Sequence, residues 1–418
     1  MIGKMTLGRR QFLSGAAISL GSIATAACSQ APAPAAPGPA PAPNTGRTLS
    51  PADLEDSLTG CSYLGCGGGG SLAEARELIR ADLAAGHDFS LLDVEALDDD
   101  DRVACPYALA SLAPLSAEFE QRLAALDGRI EMPVLNAFSL LERHLETRFS
   151  GVILGEMGPL SMAEGLSIAA RLGVPALDAD TVGRATPEIN QHSVRVAGHS
   201  LIPAAAVTPF GDEIVLTGLL DTSRQEDVFR ALTVVSGLVG VADAPITGAV
   251  AKSDGVLIKN SFSLAMRIGA AVREAKSAGT DPIEAARLAG DGYRLFTGRV
   301  GPFDWADRDG FLAGHVDIEG DGAFTGQTMR LDYKNEHLVA RIGNDTVATC
   351  PDLITLVDRA SAEGVNNPDF VAGQAVEVLG FKCDPVWRSE AGLAVFSPRY
   401  FGYDVDYIPI ESRMARRR

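Results

Sequence analysis

The run Gly65-Cys66-Gly67-Gly68-Gly69-Gly70 restricts the fold of this chain more than any other segment, because five glycines in six positions leave the backbone almost without Cβ atoms. Such a loop reaches positive φ freely and lets its N–H groups approach a ligand or another backbone, at a cost in chain entropy. Ser71 follows as an N-cap with Glu74 at the capping-box spacing, and Ala75, Leu78, Ile79 and Leu83 mark one face of a helix over 72–85. With the apolar run Leu58 to Leu64 read as a strand before it, the loop is expected to be a strand-to-helix turn. Its amides and the helix dipole would then converge on an anion or oxyanion site, which makes Gly65, Gly67, Gly68, Gly69 and Gly70 candidate binding positions. A tight turn made for close packing is the plainer reading. Cys66 is a candidate nucleophile if the dipole lowers its thiol pKa, and a small apolar filler otherwise. The glycines also fit a dinucleotide fingerprint, with Asp93 or Glu95 near the position of a ribose-binding acid, but no Gly-Lys-Ser/Thr continuation points to a nucleoside triphosphate.

The N-terminus reads as an export signal. Arg9-Arg10-Gln11-Phe12-Leu13 is a twin-arginine pattern, and a small, apolar run follows from Ser14 to Ala27. Cleavage after Ala24-Thr25-Ala26, or acylation of Cys28 in an Ala26-Ala27-Cys28 lipobox, are both open, although Thr25 stands where a lipobox usually has Leu. Residues 28–50, rich in Pro and Ala, make an extended tether. The expected location is the periplasm, free or lipid-anchored, with no membrane span in the mature chain. The formal charge is −18, and loss of Lys4, Arg9 and Arg10 with the signal takes it three lower, to −21. That balance excludes nucleic acid and anionic lipid surfaces as partners and leaves small molecules. Cys61, Cys66, Cys105, Cys350 and Cys383 are scattered without a Cys-x-x-Cys pair, so neither a disulfide framework nor a structural zinc knuckle is indicated.

After the linker, short apolar runs alternate with helical patterns. Strands are expected at 89–94, 152–154, 176–178, 213–219 and 255–259, and helices at 116–126, 134–146, 163–172, 227–239, 261–278 and 282–289. From about Leu295 the texture changes to short alternating runs at 311–318, 328–333, 337–342, 375–379 and 393–396, separated by Gly, Asp and Asn. The expected organisation is an α/β domain over 51–250, a helical connector over 251–295 and a β-rich domain over 296–412.

A second constellation is Asp178-Ala179-Asp180-Thr181-Val182-Gly183-Arg184-Ala185-Thr186-Pro187-Glu188. Asp178 and Asp180 are two residues apart on a strand and share one side of the pleat, and Gly183 permits a turn that presents Arg184 and then Glu188. In a common cleft, Arg184 would keep one carboxylate ionised while crowding raises the pKa of another, giving an acid and a base. A turn stapled by an Asp to Arg ion pair is the alternative. His192 is a candidate base or ligand, and Glu156, at a strand end, a candidate substrate contact. Asp98 to Asp101 reads as a solvated loop ahead of a cation site, and Asn335-Glu336 and Pro351-Asp352 as turn chemistry. No cofactor is required by the sequence, while a divalent metal is permitted and its ligands are unknown.

Taken together, Leu64 to Gly70, Asp178 to Glu188, Asn335-Glu336, Pro351-Asp352-Leu353-Ile354 and Pro398-Arg399-Tyr400-Phe401-Gly402-Tyr403-Asp404 resemble the S-methyl-thiohydantoin desulfurase family, once a domain of unknown function and associated with hydantoinase/oxoprolinase proteins. The resemblance implies an N-terminal three-layer α/β domain and a C-terminal β-barrel-like domain. It implies hydrolysis of an S-methylated thiohydantoin or a similar cyclic amide, with release of a thiol. Such chemistry needs an activated water, stabilisation of a tetrahedral intermediate and a proton donor. Where such proteins commonly carry a Gly-Ala-Pro turn and an acidic-Ile-Gly-Gly-Asn segment, this chain reads Cys105-Pro106-Tyr107 and Glu156-Met157-Gly158-Pro159-Leu160-Ser161. Two alternatives stand beside a hydrolase: an exported binding protein without catalysis, and a dinucleotide-binding oxidoreductase.

Overall fold

The computed structural model of the chain describes residues 46–110 and 117–417. Arg9, Arg10, Cys28, most of the linker and the expected helix start at Ser116 lie outside them. Two sheets organise the described residues, which belong to one compact unit. The first has the strand order Arg47–Thr48, Ser90–Leu92, Ala176–Asp180, Gly151–Leu154, Arg102–Ala110, Leu238–Thr247, Ala204–Val207, Glu213–Leu216, and Ile258–Lys259 pairs with Ala176–Asp180 off that path. Its middle, from Ser90–Leu92 to Arg102–Ala110, is parallel, and its other pairings are antiparallel.

Alternation along these strands sorts the side chains onto two faces. Ala104, Val152, Leu154 and Ala242 pack with Phe138 of the helix Pro133–Leu145 and Met162 of the helix Pro159–Leu172. Val103, Cys105, Ile153, Leu177 and Val241 form a separate core with Phe229 of the helix Arg224–Ser236. Helices on both faces give three layers, as expected. The second sheet is antiparallel throughout, in the order Asp345–Thr349, Glu336–Ile342, Thr328–Lys334, Phe311–Gly320, Tyr293–Arg308, Ala375–Phe381, Leu353–Asp358, Glu363–Gly364. Its two end strands do not pair with each other, so it forms an open sheet and not a closed barrel.

Several elements differ from the sequence reading. Leu58 to Leu64 is the second half of a helix, Pro51–Leu64, and not a strand. Ser50 Oγ accepts from Asp53 N at 3.1 Å, the Asp53 carboxylate accepts from Ser50 N at 2.9 Å, and Pro51 takes the first helical position. Leu54 and every residue from Asp56 to Leu64 are buried, which erases the one-sided apolar stripe by which a helix is recognised. The helix expected over 227–239 is Arg224–Ser236, stopped by Gly237 before the strand Leu238–Thr247. Leu393 to Val395 belong to the helix Glu390–Val395. The strand Arg102–Ala110 was not anticipated because Pro106 lies inside it, opposite Ala242.

The helix Pro51–Leu64 lies along Ser261–Ala278 and also touches Leu353–Asp358 and Glu363–Gly364 of the second sheet. One core therefore runs from Leu58 and Phe262 to Leu338, Leu379 and Trp387, across both sheets. Among the described residues no helix is long and apolar enough to cross a membrane.

Candidate active site

The glycine run joins two helices. Gly65 closes Pro51–Leu64, its N–H donating to Cys61 O at 2.8 Å, and Ser71 Oγ caps Leu72–Ala84 by accepting from Glu74 N at 3.4 Å. No strand leads into the loop, so the context that a dinucleotide fingerprint requires is missing. Asp93 instead caps the short turn Val94–Ala96, and Glu95 pairs with Lys259 at 2.6 Å. The loop is anchored through its carbonyls. Cys66 O accepts from His337 N and Gly67 O from Asn367 N, both at 2.8 Å; Gly69 O accepts from Leu160 N at 2.9 Å, and Gly70 O from Asn366 Nδ2 at 2.5 Å. A Cβ on Gly69, where φ is +71°, would fall 2.2 Å from the Cα of Gly158, and a Cβ on Gly68 would fall 1.8 Å from Glu336 Oε1. The loop is wedged between the start of Pro159–Leu172 and the strand Glu336–Ile342.

Cys66 does not become acidic here. Its side chain is enclosed by the core and its Sγ donates to Leu64 O at 3.3 Å. Burial raises the thiol above its ordinary value, outweighing the nearby Arg184 charge that pulls it down.

The segment from Asp178 to Glu188 arrives at the same place, with Ala185 Cβ 3.2 Å from where a Gly69 Cβ would stand. Its charged groups then take separate tasks. Asp178 accepts from Ser263 N at 2.9 Å and Ser263 Oγ at 2.5 Å, so it holds the first turn of Ser261–Ala278. Asp180 is fully buried; its Oδ2 accepts from Val182 N at 3.0 Å and Gly183 N at 2.7 Å, and its Oδ1 has no partner among the described residues. Burial pushes this carboxyl up to about 7, the Gly183 amide, the Ser261 hydroxyl and the Val182 amide pull it down, and the Glu156 charge pushes it up again. Arg184, expected to pair with a carboxylate, forms no ion pair with Asp178, Asp180 or Glu188. Fully buried, it donates to Ala185 O at 3.0 Å, Asp352 O at 2.8 Å and His337 O at 2.9 Å. Glu188 pairs with Lys334 and accepts from Tyr400 Oη at 2.6 Å. Burial pushes its carboxyl up, but Lys334 and these hydrogen bonds win, leaving it below its ordinary value. Glu156 accepts from Ser161 Oγ at 2.7 Å and Thr186 N at 2.8 Å, tying the start of Pro159–Leu172 to the Asp180 loop. The expected acid and base pair held by arginine is therefore not formed: Asp180 is raised by burial and Glu188 is lowered by Lys334, each away from Arg184.

His192 lies beyond this loop, and its ring meets two residues that the sequence did not connect with it. Cys105 and Asp243 are direct partners across the antiparallel strands Arg102–Ala110 and Leu238–Thr247. The register shifts between Val103 and Cys105, and Ala244 takes φ +48°, the signature of a bulge that re-aims a neighbouring side chain. Ligand atoms of Cys105, His192 and Asp243 all lie within 4.8 Å of one another. His192 Nε2 is 3.7 Å from Asp243 Oδ1. Neither ring nitrogen of His192 nor Asp243 Oδ1 has a hydrogen-bond partner among the described residues. Asp243 Oδ2, by contrast, accepts from Tyr107 Oη at 2.6 Å and Gln225 Nε2 at 2.7 Å. Burial, then the Asp243 and Asp180 charges, push the Cys105 thiol well above its ordinary value. A Cβ on Gly155, just past the strand Gly151–Leu154, would lie 3.8 Å from Cys105 Sγ. The cluster thus sits where the parallel strands end, the usual place for a site in an open α/β sheet.

His337 was also missed. Its Nδ1 lies 3.0 Å from Ile354 O, its Nε2 has no hydrogen-bond partner among the described residues, and its Cε1 is 2.9 Å from the Gly67 Cβ position. Burial lowers its pKa to about 4, so the ring is neutral. Only the pairing of the two halves brings it beside the glycines, and no local spacing announces that.

Sequence models of one family match most of the chain: S-Me-THD-like, N-terminal domain, over residues 52–218, and S-Me-THD-like, C-terminal domain, over residues 221–410. A crystal structure of a protein from Chromobacterium violaceum shares the fold at TM-score 0.68 and 22% sequence identity, covering 87% of this chain and 100% of that one. No curated protein gives a significant match.

Proposed function

Because the chain belongs to the S-methyl-thiohydantoin desulfurase-like family, which supports a role in S-methyl-thiohydantoin metabolism, we propose that it hydrolyses the carbon–sulfur bond of an S-methylated thiohydantoin or a closely similar ring. Water oxygen adds to the ring carbon that carries sulfur, and the C=N electron pair moves to the ring nitrogen, which takes one proton of the water. The tetrahedral intermediate then breaks its C–S bond, and methanethiolate leaves with the other proton.

The observation that carries this reading is Asp180. It is a buried carboxyl with one oxygen fixed by two amides, the Ser261 hydroxyl close by, and a pKa of about 7. A group so placed takes a proton from water and returns it to a leaving group near neutral pH. Glu156 is near enough for its charge to act on Asp180, and in this reading the amides of the glycine loop would meet the developing negative charge. The signal-like N-terminus supports placing the reaction outside the cytoplasm.

The test is methanethiol release from an S-methyl-thiohydantoin by the purified mature chain. Asp180→Asn is expected to slow turnover by about 10²–10⁴-fold while the circular dichroism spectrum stays that of the wild type. The base form of Asp180 is the ionised one, so kcat/KM should rise as pH passes about 7 and level off above it. Thermal stabilisation by the ring compound with no product after long incubation would overturn hydrolysis in favour of binding alone.

A further inference from the structure

The geometry points to a binding site for one Zn²⁺ ion at Cys105, His192 and Asp243, with Cys105 Sγ, a ring nitrogen of His192 and Asp243 Oδ1 as its protein ligands. Three independent observations meet there. The first is spacing: ligand atoms within 4.8 Å of one another, and His192 Nε2 and Asp243 Oδ1 at 3.7 Å. That separation is too long for a hydrogen bond and lies within about 0.2 Å of the roughly 3.3–3.5 Å between the nitrogen and oxygen ligands of a tetrahedral zinc ion, whose bonds are about 2.0–2.2 Å.

The second is polar balance. Cys105 and Asp243 have 0% of their surface exposed and His192 has 3%, yet both imidazole nitrogens and Asp243 Oδ1 lack hydrogen-bond partners among the described residues. Buried polar atoms left without partners are costly, and a cation between them satisfies Asp243 Oδ1 and one imidazole nitrogen together.

The third is support. Tyr107 and Gln225 both donate to Asp243 Oδ2, which turns Oδ1 toward His192, and the bulge at Ala244 sets Asp243 against Cys105. Outer hydrogen bonds of this kind orient the ligands of a metal site.

A thiolate, an imidazole and a carboxylate suit zinc, and three protein ligands leave a fourth tetrahedral position open. Water held there would be acidified toward neutral pH. Use of that water against the ring carbon rests on the hydrolytic reading above; the metal site itself does not.

The experiment is metal analysis of the full purified chain, followed by Co²⁺ titration of protein stripped by a chelator. The expected result is one tightly held Zn²⁺ per chain, replaced by Co²⁺ with a near-ultraviolet thiolate-to-cobalt charge-transfer band. Cys105→Ser should lose that band, and Tyr107→Phe, which keeps all three ligands, should weaken binding by about 10-fold or more. Wild-type protein that takes up neither ion, or binds Co²⁺ without a thiolate band, overturns the site without recourse to any variant. Methanethiol release by protein that binds no metal would remove the site and leave the hydrolase standing, whereas metal uptake without methanethiol release would do the reverse.

Discussion

At the level of single residues, the same burial acts in opposite chemical directions on Cys66 and Asp180. Each is enclosed, and each has its neutral form favoured, but a neutral thiol is a poor nucleophile whereas a carboxyl moved to about 7 is a proton carrier near neutrality. The position of Cys66 within the glycine run suggested a nucleophile, and its sulfur bond to Leu64 O suits a packing role instead. Cys66→Ala is therefore expected to keep methanethiol release within about 3-fold of wild type, since nucleophilic loss would cost orders of magnitude. Steady-state kinetics on the folded variant decide it. Asp180 and His192 could be singled out as candidates in the sequence because their loop is continuous and rich in turn formers. Cys105 and Asp243 were not, because what joins them is a cross-strand register and one bulge residue, and neither leaves a trace in local spacing.

Among the elements, Ser261–Ala278 shows how an acidic motif can be structural. Asp178 reaches this helix from the middle of the strand Ala176–Asp180 and accepts from both the amide and the hydroxyl of Ser263, while Asn260 N donates to the Asp178 carbonyl at 2.8 Å. Asp178→Ala should cost about 1–2 kcal/mol, the usual value of a lost helix cap, measured by urea unfolding, with kcat lowered far less than in Asp180→Asn. The two aspartates, equivalent in sequence, separate by this measurement. Parallel strands such as Gly151–Leu154 were readable as short apolar runs between helical patterns. The helix Pro51–Leu64 was not, because burial on all sides removes periodicity; its Ser50-Pro51-x-Asp53 start was the available signal.

In the whole molecule, the two sheets are fastened by one core and by Arg184. The guanidinium carries a buried charge from the Asp180 loop to the His337 and Asp352 carbonyls of the other half, and lies 5.4 Å from the centre of the Phe396 ring. Arg184→Met would keep the volume but leave those buried carbonyls without their donor, a loss of about 3–5 kcal/mol. Differential scanning calorimetry should show one transition, shifted down as a whole, and not the release of one half before the other. The family boundary near residues 218–221 separates two sequence units, yet Leu238–Thr247 and Ile258–Lys259, from the second unit, complete the first sheet. Anyone building chimaeras from relatives of this chain would therefore need to place the crossover after Lys259, since a splice at the sequence seam would hand the recipient a foreign strand bearing Asp243.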